Sequence, residues 1–261
     1  MPLRIETRFD AELNDFLPPQ ARGRPRVSLV APGTTVKDLV ESLGVPHTEV
    51  DVIIVNGVSV GFDHRLGDGD RVRVSSSTEG LEVSPVTHLR PGTPRPARFV
   101  LDVHLGRLAR LLRLLGFDVL WRHDASDPEL ARLSAQEDRI LLTRDRGLLK
   151  RKEVTHGYFV REDLRRQQVL EVLRRFDLAG AIRPFGRCLE CNGLLETVAK
   201  ADVEERLPPR TRRDYDEFQQ CAGCGRVFWK GSHYDALRGV VDDVVRQLDQ
   251  DGDTPSAEPQ V

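Results

Sequence analysis

Residues 99–121 read FVLDVHLGRLARLLRLLGFDVLW, and this stretch decides the fold of the C-terminal half. An apolar strand ends at Asp102, leucines at helical spacing follow, and a second strand begins after Gly116. Further elements alternate in the same way, with strands predicted at 139–143 and 157–160 and a helix at 165–176. Such alternation predicts an α/β domain, a three-layer arrangement with a parallel sheet and crossover helices.

Acidic side chains follow the strands of this predicted sheet. Asp102 follows the first strand and Asp145 the third, and Asp124 and Asp127 come after the second. Ligands of open α/β sheets bind beyond the carboxyl ends of the strands, so we expect these carboxylates to meet there. Such a cluster needs a hard cation, Mg²⁺ or Mn²⁺, which can activate water for phosphoryl transfer. The structural alternative is that strand-end aspartates form turns or caps, and Asp127 before Pro128 suits a helix N-cap.

Basic residues surround the predicted acidic cluster. Arginines recur every three positions in the helix after Asp102, and more cations flank Asp145. They are Arg107, Arg110, Arg113, Arg144, Arg146, Lys150, Arg151 and Lys152. A phosphate backbone needs such charges beside a metal site. The alternative is the solvated face of an amphipathic helix, which we favour for Arg113.

Two CxxC pairs indicate a metal site, with Cys188 and Cys191 in the first and Cys221 and Cys224 in the second. The N-terminus lacks a signal-peptide pattern, and no apolar run approaches the ~20 residues of a membrane span. We therefore expect a cytoplasmic protein, whose thiols stay reduced and hold a structural zinc ion in a ribbon. A redox dithiol is the main alternative. The segment between the pairs is expected to contain a short helix at 215–218.

The stretch VFWKGSHY follows the second pair. Phe228, Trp229 and Tyr234 can stack on bases, and Lys230 can bind phosphate. His233 can bind RNA or assist acid–base chemistry. The alternative, favoured for Phe228 and Trp229, is that they cover the small core of the ribbon.

Residues 1–78 predict an α+β unit of strands around one helix. Thr35 is expected to cap that helix, and Asn56-Gly57 predicts a hairpin turn. The stretches IIVNGVSV (53–60) and LGDGDRVRV (66–74) resemble the ubiquitin-like β-grasp fold of sulfur-carrier type. Such carriers end in a free Gly-Gly, whereas this chain continues, so we expect a docking or structural role, including docking of a protein partner.

The run at 99–121 and the stretch SDPELARLSAQEDRILLTRDRGLLKR resemble the PIN-like nucleases and, more narrowly, the Mut-seven C-terminal RNase family. The resemblance covers residues 98 to about 237. It implies a metal-dependent endoribonuclease that acts on RNA in processing or decay. Asp102, Asp127 and Asp145 would then hold Mg²⁺ or Mn²⁺, with Asp124 beside them. PIN-type sites often use a fourth carboxylate, for which Glu137 and Asp163 are guesses.

The sequence therefore predicts several parts, divided as follows: a ubiquitin-like β-grasp domain at 1–78, a Pro-rich linker at 79–97, a PIN-like domain at 98–180, a zinc ribbon at 181–240, and the end of a helix with a disordered tail at 241–261. The formal net charge of −2 excludes a uniformly basic nucleic-acid coat, so RNA contact requires a local patch. The alternative function is a non-catalytic RNA-binding or adaptor protein that uses the ribbon and the β-grasp domain. A toxin of a toxin–antitoxin pair is a third hypothesis.

Overall fold

The computed structural model describes residues 1–252, and their side chains as far as residue 250. The strands are β1 Leu3–Phe9, β2 Arg26–Val30, β3 Val52–Val55, β4 Val58–Val60, β5 Arg71–Ser75, β6 Arg98–Leu101, β7 Asp118–Trp121, β8 Ile140–Thr143, β9 Gly157–Phe159, β10 Leu195–Val198, β11 Phe218–Cys221 and β12 Val227–Trp229. The α-helices are α1 Val36–Ser42, α2 Gly106–Leu114, α3 Asp127–Glu137, α4 Arg146–Leu149, α5 Arg165–Arg175, α6 Lys200–Val203, α7 Pro209–Asp214 and α8 Ser232–Gly252. Short 3₁₀ turns lie at Ala11–Phe16, Pro19–Ala21, His47–Glu49, Val103–Leu105, Ala179–Ala181 and Glu204–Arg206.

The chain divides into two compact units. The first contains Met1–Pro94 and Ser126–Phe159, and the second contains Arg95–Ala125 and the chain from Val160 onward. This division into units differs in kind from the predicted domain boundaries, which stay predictions.

The N-terminal part of the first unit is a five-stranded sheet in the order β2-β1-β5-β3-β4. The two strands beside β1 run in different directions: β2 is antiparallel to it and β5 is parallel to it. Helix α1 begins with a capping box between Thr35 and Asp38, as the predicted cap requires. Asn56 and Gly57 both have positive φ, 50° and 86°, the conformation of a type I′ hairpin turn. The prediction that this part mixes strands and a helix in a ubiquitin-like fold is confirmed.

The remainder of the first unit carries the parallel pair β8 and β9 with helices α3 and α4. The N-cap predicted at Asp127 is wrong, because Ser126 takes the N-cap with extended backbone and Asp127 is the first helical residue. Pro128 remains in the first turn, where its missing N–H costs nothing. Helix α3 ends at Glu137, and its C-cap Asp138 adopts the left-handed conformation with φ 49°.

In the second unit, the parallel pair β6 and β7 is connected by α2, as the sequence predicts. Phe99 is fully buried, and edge-to-face contacts join its ring to Phe117 at 5.8 Å and to Phe176 at 6.3 Å between centroids. Helix α5 packs against both α2 and α8. These aromatic and leucine side chains form the core behind β6, the strand that positions Asp102.

The ribbon within the second unit is an antiparallel sheet in the order β10-β11-β12. The helix predicted at 215–218 is wrong, since α7 ends at Asp214 and Phe218 begins β11. Phe218 is buried and pairs with Val198 and Trp229, so sheet pairing overrides the local preference. Helix α8 continues to Gly252, and the rest of the predicted disordered tail lies outside the described residues.

The predicted linker at 79–97 contains no regular element before β6. Up to Pro94 it belongs to the first unit, where the Leu89 amide donates to the Asp51 carbonyl at 2.7 Å and Arg90 donates to the Glu49 carbonyl at 2.6 Å. The linker is therefore hydrogen-bonded along the β-grasp domain. None of the described helices has the length and apolarity needed to cross a membrane.

Gly116 gives a test of the packing between α2 and the ribbon. Its φ is +96°, and an added Cβ would lie 2.0 Å from the Arg183 carbonyl oxygen. We expect Gly116→Ala to lower the free energy of unfolding of the second unit by about 3 kcal/mol, because the added Cβ would clash with that carbonyl. Urea denaturation measures the loss. Gly180→Ala is the matched control, since a Cβ there meets nothing within 4 Å. Equal midpoints for the two variants would contradict the prediction.

Candidate functional site

The four cysteines form a single cluster in the second unit. Their Sγ atoms all lie within 4.8 Å of one another, with Cys188 to Cys224 at 3.8 Å and Cys191 to Cys221 at 3.3 Å. Tetrahedral Zn–S bonds of ~2.3 Å place sulfurs about 3.8 Å apart, so the cluster fits such an ion. Within either unit, the described residues contain no other group of three or more His, Cys, Asp or Glu ligand atoms this close. Two matched pairs favour a closed metal site over a single redox dithiol.

Backbone hydrogen bonds shape each CxxC knuckle. The Cys188 amide donates to the Gly193 carbonyl at 2.8 Å, and Asn192 adopts a left-handed φ of 72° between them. In the second knuckle, the amides of Gly223 and Cys224 donate to Cys221 Sγ at 3.3 and 3.4 Å. A Cβ on Gly193 would lie 2.8 Å from the same sulfur, so only glycine allows the knuckles to approach.

The thiols are unequal in acidity. The pKa of Cys221 is lowered to about 7: burial raises it, but hydrogen bonds from the Cys224 amide, the Cys191 thiol and the Gly223 amide lower it more. The pKa of Cys191 is raised to about 12: a hydrogen bond from the Gly193 amide lowers it, but burial and the three neighbouring thiols together raise it more. Burial also raises the pKa of Cys188. A bound cation would lower these raised pKa values, because it stabilises the thiolate form of the clustered cysteines.

Arg113 holds the first knuckle against α2. It is buried, with 3% of its surface exposed, so its predicted place on a solvated helix face is wrong. Its guanidinium donates to the carbonyls of Val119, Leu189 and Glu190 at 2.7 to 3.1 Å. Burial lowers its pKa, while the nearby cysteines and Glu190 act in the other direction. Sequence patterns missed the buried, structural role of Arg113 because its partners at Leu189 and Glu190 are remote in the chain.

Asn192 makes a second connection that the sequence did not reveal. Its side chain accepts a hydrogen bond from the Val119 amide at 2.9 Å and donates to Asp118 at 2.8 Å. The only available signal was the Asn-Gly pair after the first knuckle, which predicts a turn but not its partners. The cysteine cluster and strand β7 are thereby joined within one unit.

The predicted RNA-binding arginines of α2 lie on its surface. Arg107 is exposed, and Arg110 is exposed and pairs with Glu190 at 2.5 Å. Their exposure agrees with both the phosphate-binding and the solvated-face interpretations, so the RNA-binding role stays a prediction.

The predicted catalytic aspartates are distributed over both units. In the second unit, Asp102 is largely buried and directly follows β6, whereas Asp124 is exposed and pairs with Arg122 at 3.1 Å. A hydrogen bond from Arg122 lowers the pKa of Asp124. In the first unit, Asp127 is exposed at the start of α3 and Asp145 is exposed at the start of α4. The acidic metal site stays a prediction.

Asp145 acts as the N-cap of α4. Its Oδ1 accepts hydrogen bonds from the amides of Gly147 at 2.6 Å and Leu148 at 3.4 Å. Its own amide donates to Thr143 Oγ1 at 2.9 Å. These bonds fix the direction of the carboxylate just after β8.

The other predicted residues around Asp145 have varied surroundings. Arg144 is exposed and adjacent to it, whereas the Lys150 ammonium donates to the Glu41 carbonyl at 2.6 Å. Among the guesses for a fourth carboxylate, Glu137 pairs with Arg139 at 2.8 Å and Asp163 is exposed. Lys150 is thus engaged with the β-grasp domain, while the role of Arg144 stays a prediction.

An aromatic cavity of about 670 Å³ lies in the second unit beside the ribbon. Its walls include Phe185, Phe228, Lys230, His233 and Tyr234, and the rings of Phe185 and Tyr234 lie 4.5 Å apart. Lys230 pairs with Glu217 at 2.6 Å on the surface.

Trp229 also lines this cavity and packs against the small core of Val203, Leu207 and Phe218. The core-covering interpretation therefore holds for Trp229, whereas Phe228 is half-buried at the cavity wall.

Comparison with known proteins identifies the family. Residues 97–241, more than half of the chain, match the family model described as the Mut7-C RNAse domain. The chain belongs to that family. Residues 3–82 match the model described as Mut7-C ubiquitin, so both resemblances expected from the sequence are confirmed. No curated protein and no solved structure matches the chain. Membership in the Mut7-C RNase family indicates a nuclease and places the cysteine cluster inside the matched domain.

The cysteine cluster of this Mut7-C protein generates a prediction about metal content. We expect the purified protein to contain about one zinc ion per chain, and Cys221→Ser to lose most of it, because a four-ligand site loses a thiolate. Metal analysis by mass spectrometry, with a thermal unfolding scan, measures both effects. His233→Ala is the control, since His233 lies near the ribbon but outside the cluster. Zinc retained in Cys221→Ser would contradict the assignment.

Proposed function

We propose that the protein is a metal-dependent endoribonuclease that acts on RNA in the cytoplasm. The observation that carries the proposal is the match of residues 97–241 to an RNase domain, combined with aspartates that follow its parallel strands. Asp102 is held at the end of β6, and Asp145 caps the helix after β8. Strand ends of this kind are where α/β domains bind ligands.

Carboxylate oxygens suit the metal ion that this chemistry requires. Asp102, Asp127 and Asp145 would hold Mg²⁺ or Mn²⁺, since hard cations prefer oxygen ligands. Such an ion, when bound, supplies an activated water and charge stabilisation at the phosphate. The chain contributes fixed orientation, because two backbone amides already direct the Asp145 carboxylate. Arg144, exposed beside it, would bind substrate phosphate.

The zinc ribbon would support the RNase domain and contact RNA. Four cysteines would hold a structural zinc ion, and Arg113 would keep the first knuckle on α2. The aromatic cavity would take an unpaired base against Tyr234 or Trp229, with Lys230 or His233 near the backbone. Arg107 and Arg110 would extend the phosphate track along α2.

A non-catalytic RNA-binding or adaptor protein is the second candidate. The aromatic cavity favours it, because stacking on those rings requires none of the four predicted catalytic carboxylates. Binding of RNA without cleavage under every divalent cation would support this function instead.

The acidic residues are tested by cleavage of a mixed pool of structured and single-stranded RNA. We expect wild-type protein to cleave with Mn²⁺ or Mg²⁺ and not with EDTA, and Asp102→Asn to reduce the rate by about 100-fold or more, because a metal ligand is weakened. Asp177→Asn, at an exposed aspartate of the same unit, should leave the rate unchanged. Full metal-dependent activity in Asp102→Asn would exclude the mechanism.

The aromatic cavity is tested by RNA affinity. Trp229→Leu keeps an apolar side chain over the ribbon core but removes the ring, and we expect single-stranded RNA to bind about 10-fold more weakly. Fluorescence anisotropy at fixed salt measures the change, and unchanged zinc content shows that the ribbon remains folded. Equal affinity for wild type and variant would place the RNA elsewhere.

A further inference from the structure

The β-grasp domain contacts the segment that follows Asp145, inside the first unit. The Phe159 amide donates to Glu49 Oε1 at 2.7 Å, and the Glu49 residue is fully buried. His47 Nε2 lies 3.1 Å from the Val154 carbonyl oxygen while Nδ1 contacts Glu41. Partly buried polar bonds of this kind favour a fixed arrangement, since loss of one partner leaves a desolvated group unpaired.

Packing accompanies these hydrogen bonds. The ring of Phe16 meets that of Phe159 edge-to-face, with centroids 5.2 Å apart. At Gly157, an added Cβ would lie 3.2 Å from Thr48 Cγ2 and 2.7 Å from Leu149 Cδ2. The β-grasp domain and the segment from α4 to β9 therefore fit closely, and no second chain is needed to cover this face.

Arg146 connects this contact to the predicted acidic site. It directly follows Asp145, and its guanidinium donates to the Phe16 carbonyl at 2.8 Å and the Asp15 carbonyl at 3.4 Å. The same group lies over two rings, 5.2 Å from the centroid of Phe16 and 5.9 Å from that of Phe159. The cation next to the predicted metal ligand is thus directed at the β-grasp domain.

The turn at Asp145 leaves little freedom once Arg146 is held. The Gly147 amide donates to Asp145 Oδ1, and a Cβ on Gly147 would lie 3.1 Å from that oxygen. One turn later, Lys150 donates to the Glu41 carbonyl, a second attachment to the same domain. The short α4 is therefore fixed to the β-grasp domain at both of its ends.

We propose that the β-grasp domain acts in cis as a scaffold for the nuclease site, with Arg146 as the positioning residue that fixes the Asp145 turn. The proposal rests on the proposed function for its catalytic part, and on the contacts alone for its positioning part. In this proposal, the binding partner of the fused ubiquitin-like domain is a segment of the same chain. If Arg146 instead bound RNA phosphate, its removal would raise KM for RNA and leave kcat unchanged.

The test compares Arg146→Met with Arg132→Met in the full-length protein. Arg132 is an exposed arginine of the same unit, and its guanidinium donates to Gln136 in its own helix, so it is the matched control. Hydrogen exchange at the amides of Gly147 and Leu148 measures the stability of the Asp145 turn and does not depend on RNA cleavage. Steady-state cleavage with Mn²⁺ reports the consequence as separate kcat and KM values.

For Arg146→Met we expect about 10-fold faster exchange at both amides and about 10-fold lower kcat, with KM for RNA unchanged. Arg146→Lys, which keeps the cation over the rings, should recover part of both losses. Unchanged exchange would overturn the scaffold, and a raised KM with unchanged kcat would assign Arg146 to RNA binding. Absence of cleavage by wild type would overturn the nuclease proposal, and faster exchange in Arg146→Met would still support the scaffold.

Discussion

The buried guanidinium of Arg113 is the constraint on which the second unit depends. A charged group removed from water must find partners, and it finds them in the carbonyls of β7 and of the first cysteine knuckle. The knuckle in turn presents Cys188 and Cys191 toward the second CxxC pair. The ribbon is therefore attached to the strand–helix–strand core of the RNase domain through hydrogen bonds within one unit, and a metal ion would stabilise both together.

Local patterns predict most of the secondary structure. The leucine stripe and Gly116 define α2, and the Asn56-Gly57 turn defines the hairpin of the β-grasp sheet, because these signals act over a few residues. Two errors have long-range causes: the strand at Phe218 replaces a predicted helix because it pairs on both sides, and Arg113 is buried by remote carbonyls. CxxC spacing predicts the cysteine cluster, because the two matched pairs supply the four thiols that a tetrahedral site requires.

The predicted acidic site is less determined by sequence than the cysteine cluster. Strand ends predict where Asp102 and Asp145 begin their turns, yet the contacts of Arg146 and Lys150 with the β-grasp domain have no local signature. Basic residues beside the predicted acidic cluster predict phosphate binding, and in the structure Arg146 and Lys150 donate to carbonyls of the β-grasp domain. A ubiquitin-like domain without carrier chemistry thus gains a physical role, because it stabilises the turn that presents a predicted metal ligand.

Metal binding by the acidic residues tests the central claim most directly. Electron paramagnetic resonance of Mn²⁺, titrated into zinc-loaded protein, measures the bound ion without any choice of RNA substrate. The account predicts that wild type binds about one Mn²⁺ or more per chain, and that an Asp102→Asn/Asp145→Asn double variant loses this binding while keeping its zinc. Equal Mn²⁺ binding by the two proteins, or none by wild type at millimolar Mn²⁺, would contradict it.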